Sequence, residues 1–192
     1  MVNVDPSSLH AILCESLAKG LQARLTVTSN SMAPLIQAGD EIILEAVQPE
    51  QLNLGDIVTI ATRQDLLTHR VWALDLSQPE QAILTRGDRP LTFDPPWPSA
   101  AVVGRVCGRT RQQNTLFWRQ GAGYWLNQHL AGLARREVRW FTGSQEAPLW
   151  RNEPVSLTSR IRLVHRLGYA WAILITSAIN VATRIKSGKD KI

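Results

Sequence analysis

Short strand-like runs alternate with turn residues through the first half of the chain. Runs with the length and apolar character of β-strands cover 24–28, 41–47, 57–62, 66–74, 82–86 and 101–107. Turn pairs such as Gly39-Asp40 and Gly87-Asp88 separate several of these runs. Short strands at such regular spacing predict a mainly β protein, built on a twisted, partly closed antiparallel sheet.

Apolar residues at helical spacing mark both ends of the chain. Asp5-Pro6-Ser7 is a helix start, and the apolar positions after it predict a short amphipathic helix. Near the other end, Gly121 to Trp140 predicts a helix, and Leu157 to Lys186 predicts one long helix or two. The sequence thus predicts an N-terminal helix over 1–23, a β core over 24–109, and a helical C-terminal extension over 110–192 that contains a linker at 142–154.

The last helical stretch contains an apolar segment, Leu167 to Ala182, of about the length of a short membrane span. Its polar residues, among them Thr176 and Asn180, cluster towards one helical face, and Arg and Lys flank the segment on both sides. This pattern favours a helix that lies in the membrane interface, with a single C-terminal span as a second membrane-associated form. The alternative is a helix docked on the β core of a cytoplasmic protein.

Charge divides the chain into two parts of opposite sign. Residues 1–104 carry 6 Lys and Arg against 12 Asp and Glu, whereas residues 105–192 carry 15 against 4. The basic extension is either a solvated face or a surface for something anionic, such as a phospholipid surface, a nucleic acid or an acidic partner. Because the apolar segment has cationic flanks, we expect an anionic membrane surface as the partner and no nucleic acid.

A candidate nucleophile lies between two predicted strands, in the stretch from Thr28 to Asp40. Ser31 follows the first strand in a turn, and Ser29 could direct a second hydroxyl to the same place. One hydroxyl can attack a carbonyl while the other, together with a backbone N–H, stabilises the oxyanion. The alternative is a surface turn that is rich in Ser and Asn.

A serine nucleophile needs a base, and the sequence offers one main candidate. All four Lys lie outside residues 20–185, so a lysine base within the core is nearly excluded. His69 lies in a strand-like run, where alternation puts it on an apolar face and puts Arg70 on the other. It is either the base or a core histidine that bonds a backbone carbonyl. Asp88 and Asp94 follow as groups that could orient the imidazole.

Five short motifs follow one another in register through the predicted β core. They are Ser31-Met32-Ala33-Pro34, Gly39-Asp40, Gly55-Asp56-Ile57-Val58, Thr68-His69-Arg70-Val71 and Thr85-Arg86-Gly87-Asp88. In these motifs, over about residues 24–109, the chain resembles the signal peptidase I superfamily, which shares its core with the self-cleaving repressor-type peptidases. Bacterial signal peptidases and the repressor type use a Ser–Lys dyad, whereas the endoplasmic-reticulum and SipW-like branch has His in place of Lys. The resemblance is therefore to the Ser–His branch.

The resemblance implies a signal-peptidase-like β core and a set of residue roles. The nucleophile that it implies is Ser31, and the base is His69. The implied oxyanion donors are the Ser29 hydroxyl and the Ser31 N–H. The acid of the family lies six residues past the Asp of the last motif, which is Asp94 here, with Asp88 as the alternative.

These observations predict a serine endopeptidase that cleaves a leader or signal segment from an extended peptide or preprotein. The competing class is a non-catalytic regulatory or binding module on a degenerate peptidase scaffold, with a basic tail for membrane or nucleic acid. No His, Cys and carboxylate cluster has metal-ligand spacing, and we expect neither a metal nor another cofactor. Residues 1–24 contain no stretch long enough for a signal peptide or a span, so we expect a dedicated maturation peptidase.

Overall fold

The computed structural model describes residues 6–63, 65–76, 82–142 and 159–189. Its α-helices are α1 (Pro6–Ala18), α2 (Gly121–Thr142) and α3 (Ser159–Lys189). Its strands are β1 (Ala23–Thr26), β2 (Glu41–Glu45), β3 (Ile57–Ala61), β4 (Leu66–Asp75), β5 (Ala82–Arg86), β6 (Trp97–Pro98), β7 (Val102–Arg111) and β8 (Asn114–Phe117). Short 3-10 helices cover Pro49–Gln51 and Ser99–Ala101.

The eight strands form one antiparallel sheet that curls into a half-barrel. Their order is β1-β2-β7-β3-β4-β5-β6, and β8 pairs with β7 outside this path. β7 is therefore central, because it pairs with β2, β3 and β8. The predicted fold class is confirmed: the protein is mainly antiparallel β, with a short N-terminal helix and a helical C-terminal part.

All six predicted strands are present, with differences at their ends. The largest difference is in β7, which continues to Arg111 instead of ending at residue 107. Two strands, β6 and β8, are not predicted from the sequence. They contain only two and four residues, too few to produce a periodic pattern of their own.

The three helices share one apolar cluster with the sheet. Leu13 and Leu17 of α1, Leu126 and Leu130 of α2, and Ala172 of α3 are all buried in it. The prediction left open whether the last helical stretch is one helix or two, and α3 is a single helix. The predicted linker lies, apart from its first residue, outside the described residues.

α3 packs against α2 and β8 with its polar side towards the protein. Thr176 is buried, and Thr183 accepts a hydrogen bond from the Asn114 amide of β8 at 2.6 Å. The opposite side is apolar and exposed: we call Leu163, Leu167, Trp171, Leu174 and Val181 the α3 stripe. The polar face of α3 is thus docked on the rest of the protein, which is the arrangement that the sequence analysis gave as the alternative. Among the described helices, none is both long and apolar enough to cross a membrane.

Candidate active site

Ser31 lies in the segment that leads from β1 to β2, which we call the Ser31 turn (residues 29–40). Its side chain is partly buried, whereas Ser29 is exposed. The two hydroxyl oxygens lie 3.2 Å apart and share a hydrogen bond. Both predicted hydroxyls therefore occupy one small region, and Ser29 is open to solvent there.

The backbone beneath Ser31 is anchored in the core. Met32, Leu35 and Ile36 are buried, and they belong to the same apolar cluster as Leu126 of α2. Burial of each such side chain contributes roughly 1.5–3 kcal/mol. Packing therefore holds the Ser31 turn in place, in addition to the hydrogen bonds that the turn makes.

Two arginines near the end of β7 bind the rest of the Ser31 turn. Arg109 Nε donates to the Leu35 carbonyl oxygen at 2.8 Å. Arg111 donates from Nε and Nη2 to the two carboxylate oxygens of Asp40, each at 2.6 Å. Burial, together with the nearby charge of Arg111, lowers the pKa of Arg109 to about 10, although Asp40 opposes both effects. Because the predicted strand ends before both arginines, this support is not predicted from the sequence.

The turn after β5 touches the backbone of Ser31. The Arg89 N–H donates to the Ser31 carbonyl oxygen at 2.9 Å. A Cβ atom at Gly87 would lie 2.6 Å from that same oxygen and 2.8 Å from the Pro90 ring, closer than real Cβ atoms approach. Only glycine allows this close approach, so Gly87 does more than form a turn.

His69 lies on β4 with its imidazole buried, and 7% of the side chain is exposed. Its Nδ1 lies 2.6 Å from Asp94 Oδ2. Because an ionised carboxylate can only accept, Nδ1 donates to it, and in the neutral imidazole Nε2 then carries the lone pair. Nε2 is buried and makes no hydrogen bond within the described part of the chain. This is the tautomer that a general base needs.

A third side chain orients the carboxylate of Asp94. Its Oδ2 accepts a hydrogen bond from Thr85 Oγ1 at 2.6 Å. The Asp94 N–H also donates to the Thr85 carbonyl oxygen at 2.9 Å. Thr85 is fully buried on β5, and it therefore holds the carboxylate towards the imidazole. In the sequence Thr85 is only one member of a motif. Its contact with Asp94 could not be predicted, because it depends on the pairing of β5 with β4.

The strand register brings His69 towards Ser31. Arg70 of β4 pairs with Arg86 of β5. His69 directly precedes Arg70 on β4, and Gly87, which directly follows Arg86 on β5, lies against the Ser31 carbonyl oxygen. Within the described residues His69 Nε2 makes no hydrogen bond, so none joins it to the Ser31 hydroxyl. Catalytic hydrogen bonds commonly tighten only when substrate binds.

Asp88, the alternative acid, has another partner. Its two carboxylate oxygens accept from Nε and Nη2 of Arg70, each at 2.7 Å. Arg70 is 1% exposed, and its Nη1 donates to Asn127 Oδ1 of α2 at 2.7 Å. The predicted alternation of Arg70 and His69 is observed, but α2 covers the Arg70 side instead of water. The structure thus brings Asp94, and not Asp88, to the imidazole.

The chemistry available at this site comes from side chains. Within the described residues, no group of three or more His, Cys, Asp or Glu side chains could hold a metal ion. The Ser31 hydroxyl bonds the Ser29 hydroxyl, and the His69 imidazole bonds the Asp94 carboxylate; serine, imidazole and carboxylate are the groups that nucleophilic catalysis uses. Comparison with known proteins gives no matching family model and no matching curated protein.

Proposed function

We propose that the chain is a serine endopeptidase in which Ser31 is the nucleophile, His69 the general base and Asp94 the group that orients the base. The observation that carries the proposal is the Asp94–His69 hydrogen bond, which leaves Nε2 without a partner among the described residues. The resemblance to the Ser–His branch of the signal peptidase I superfamily supports the same three residues from motif order.

In the proposed reaction, the Ser31 hydroxyl attacks a peptide carbonyl and His69 Nε2 accepts its proton. The Ser29 hydroxyl and the Ser31 N–H stabilise the resulting oxyanion. The imidazolium, stabilised by Asp94, protonates the leaving amine, and an acyl-enzyme ester remains. His69 then takes a proton from water, which hydrolyses the ester and restores the Ser31 hydroxyl.

The substrate that fits this proposal is an extended peptide, such as the leader segment of a preprotein. An extended backbone can approach the exposed Ser29 without unfolding of the protein. The resembled family cleaves extended peptides after small residues. A non-catalytic module on a degenerate scaffold is the competing function, and the His69 imidazole is evidence against it. Ser31, His69 and the carboxylate that bonds the imidazole are all retained together, whereas decay of a catalytic site usually removes one of them.

A fluorophosphonate probe tests the proposal without knowledge of the substrate, because it reacts with activated serines. We expect mass spectrometry to find the adduct on Ser31, and Ser31→Ala to abolish it. His69→Ala should slow labelling by about a hundredfold or more, the size of a general-base contribution. His129→Ala is the control, because His129 lies on α2 and stacks on Trp125, and it should label like the wild type. An unlabelled wild type, or full labelling of His69→Ala, would favour the non-catalytic module.

We also propose that the protein attaches to the surface of an anionic membrane, and the α3 stripe supports this location. Its five residues recur at helical spacing on one face, and each is between 52% and 64% exposed. α2 extends the surface with Trp125, which stacks on His129, and His129 accepts a hydrogen bond from Trp171 Nε1 at 3.3 Å. Exposed apolar surface of this kind indicates a binding surface.

The charge of α3 supports an anionic membrane as the partner of this surface. α3 contains six Arg and Lys and no Asp or Glu. The one acid of α2, Glu137, is bound to Arg86 and His165 and therefore does not offset this charge. Apolar side chains among unbalanced positive charges match the headgroup region of an anionic bilayer, with the helix lying in its plane.

Vesicle flotation at two salt concentrations tests this location. We expect the full-length protein to float with vesicles that contain phosphatidylserine at low salt and to be largely released at high salt, because surface charges are screened over about 8 Å at physiological ionic strength. A triple variant, Leu167→Gln, Trp171→Gln and Leu174→Gln, should not float. Leu54→Gln, at an exposed position outside the stripe, is the control. Equal binding of the triple variant, or retention through alkaline carbonate, would contradict the in-plane attachment.

A further inference from the structure

α2 and α3 pack directly behind the Ser31 turn. Leu130 of α2 and Ala172 of α3 belong to the apolar cluster that contains Leu35 and Ile36 of the turn. The helical extension is therefore in contact with the segment that carries the candidate nucleophile. Hydrogen bonds of His165 and Asn180 add polar connections between α3 and this segment.

The first polar connection runs from His165 of α3 through a single residue. His165 Nε2 lies 3.0 Å from the Arg89 carbonyl oxygen. The N–H of the same residue, Arg89, donates to the Ser31 carbonyl oxygen at 2.9 Å. One peptide segment thus receives a bond from α3 on one side and holds the backbone of Ser31 on the other.

Both ring nitrogens of His165 face acceptors. Nδ1 lies 2.6 Å from Glu137 Oε1, and Nε2 faces the Arg89 carbonyl oxygen. Only the imidazolium can donate from both nitrogens at once. Although burial alone would raise the pKa of Glu137, its bonds to His165 and Arg86 hold that pKa below the usual value. Glu137 is therefore an anion at neutral pH and favours a cation beside it.

The same cluster reaches the other side of the site through Arg86. Arg86 Nη2 donates to Glu137 Oε2 at 2.9 Å. Its guanidinium carbon lies 4.3 Å from the centre of the Trp72 ring and 5.3 Å from that of Phe93. Phe93 directly precedes Asp94, the residue that bonds the imidazole of the site. The cluster is thus adjacent to both the Ser31 turn and the Asp94 segment.

A second polar connection joins α3 to the Ser31 turn. Asn180 Oδ1 accepts a hydrogen bond from Arg109 Nη2 at 2.5 Å. Arg109 in turn donates from Nε to the Leu35 carbonyl oxygen. α3 therefore reaches the Ser31 turn at two points, the carbonyl oxygens of Ser31 and Leu35, each through one intervening residue.

We infer that His165 is a positioning residue for Ser31, and that the helical extension is part of the catalytic unit of this chain. By holding Arg89, His165 fixes the carbonyl of the nucleophile and so sets the place of its hydroxyl relative to His69. The inference rests on the proposed peptidase function. It assigns to α3 a role at the active site in addition to its exposed surface.

Two substitutions at His165 separate the roles of its two nitrogens. Glutamine places an amide N–H near the position of Nε2, so His165→Gln can still donate to the Arg89 carbonyl. Asparagine is shorter and places its N–H near the position of Nδ1, so His165→Asn can bond only Glu137. A structural role would make both variants similar, whereas positioning of Ser31 depends on the Arg89 bond. His10→Gln, on α1, is the matched control.

The measurement is labelling of Ser31 by the fluorophosphonate probe, with the maximal rate and the half-saturating concentration determined separately. His165→Asn should lower the maximal rate by about tenfold or more at an unchanged half-saturating concentration, as expected for a misplaced nucleophile. His165→Gln should remain close to the wild type. Equal rates in the two variants, or rates that only follow thermal stability, would overturn the inference.

Hydrogen exchange gives a second readout that does not depend on activity. Amides of residues 29–38 should exchange faster in His165→Asn than in the wild type, and His165→Gln should retain the protection of the wild type. Unchanged exchange in both variants would show that His165 does not hold the turn. If the wild type is not labelled at Ser31 but exchange differs as expected, the peptidase proposal fails while the contact between α3 and the Ser31 turn stands.

Discussion

Replacement of Gly87 by alanine should slow the reaction of Ser31 without a change to any proposed catalytic side chain. The added Cβ would lie 2.6 Å from the Ser31 carbonyl oxygen, and 2.8 and 2.9 Å from two ring carbons of Pro90. None of these neighbours can rotate away, because one is a backbone atom and the others belong to a ring. The two segments must therefore move apart.

The size of the effect follows from these distances. Ordinary contact of a Cβ begins at 3.4 Å, so relief of the closest contact requires a separation of about 0.8 Å. Met32 and Leu35 are wedged in the core beneath the turn, so the movement displaces Ser31 relative to His69. A misplacement near 1 Å can cost about a hundredfold in rate, and overpacking costs about 1–3 kcal/mol. We expect labelling to be slower by about tenfold to a hundredfold. We also expect the free energy of unfolding to fall by about 1–3 kcal/mol.

The assay compares two glycines with opposite surroundings. The second-order rate constant for fluorophosphonate labelling of Ser31 and urea unfolding are measured for Gly87→Ala and for Gly132→Ala. At Gly132, on α2, no heavy atom lies within 4 Å of the added Cβ. That variant should label like the wild type and gain up to about 1 kcal/mol, because alanine is the better helix former. If Gly87→Ala keeps the wild-type rate and stability, residue 87 does not touch the Ser31 backbone, and the convergence of Ser31 and His69 inferred from it is wrong.

Three further substitutions test the charges around the site. Asp94→Ala should slow labelling of the nucleophile more than Asp88→Ala does, because only Asp94 bonds the imidazole; the reverse order in labelling rates would exchange their roles. Asp88→Ala should instead lower the unfolding free energy by about 3–5 kcal/mol in urea, because a buried arginine loses its counter-ion. The pKa of Glu137 would rise by burial alone, but its bonds to His165 and Arg86 lower it below 4.5. The advantage of the wild type over Glu137→Gln in urea unfolding should therefore be full above about pH 4.5 and shrink as the pH falls further; a constant advantage would refute this.

The β core could be predicted because its strands carry their own pattern, whereas only the resemblance, through its six-residue spacing, ranked Asp94 above Asp88. Both residues follow β5, and without the resemblance the local pattern does not decide which of them meets the imidazole. The contacts in the folded structure decide which carboxylate bonds the imidazole. Arg70 points to the face that α2 covers and takes Asp88, while Thr85 holds Asp94 on the other side. Both choices depend on strand register, which local sequence does not contain.

The orientation of α3 was beyond prediction for a different reason. Its periodicity shows that the two faces differ, with Thr176 and Asn180 on one of them, but a helix of this pattern can turn either face to the protein. Here the polar face is inside. A buried Arg109 needs an acceptor, and Asn180 supplies one. The need for this acceptor arises from the burial of Arg109 on β7, which the sequence did not predict.

The central place of β7 determines when the Ser31 site can exist during synthesis. β2 follows Ser31 directly, but its partner β7 is made much later, and non-local pairing of this kind is slow to form. Arg109, which holds Leu35, comes later again, and Asn180 and His165 are among the last described elements. Ser31 is translated before β7 and α3, so the contacts described around it are complete only when α3 has been made. A nascent chain that stops before α3 therefore carries Ser31 without the support of Arg109, Asn180 and His165.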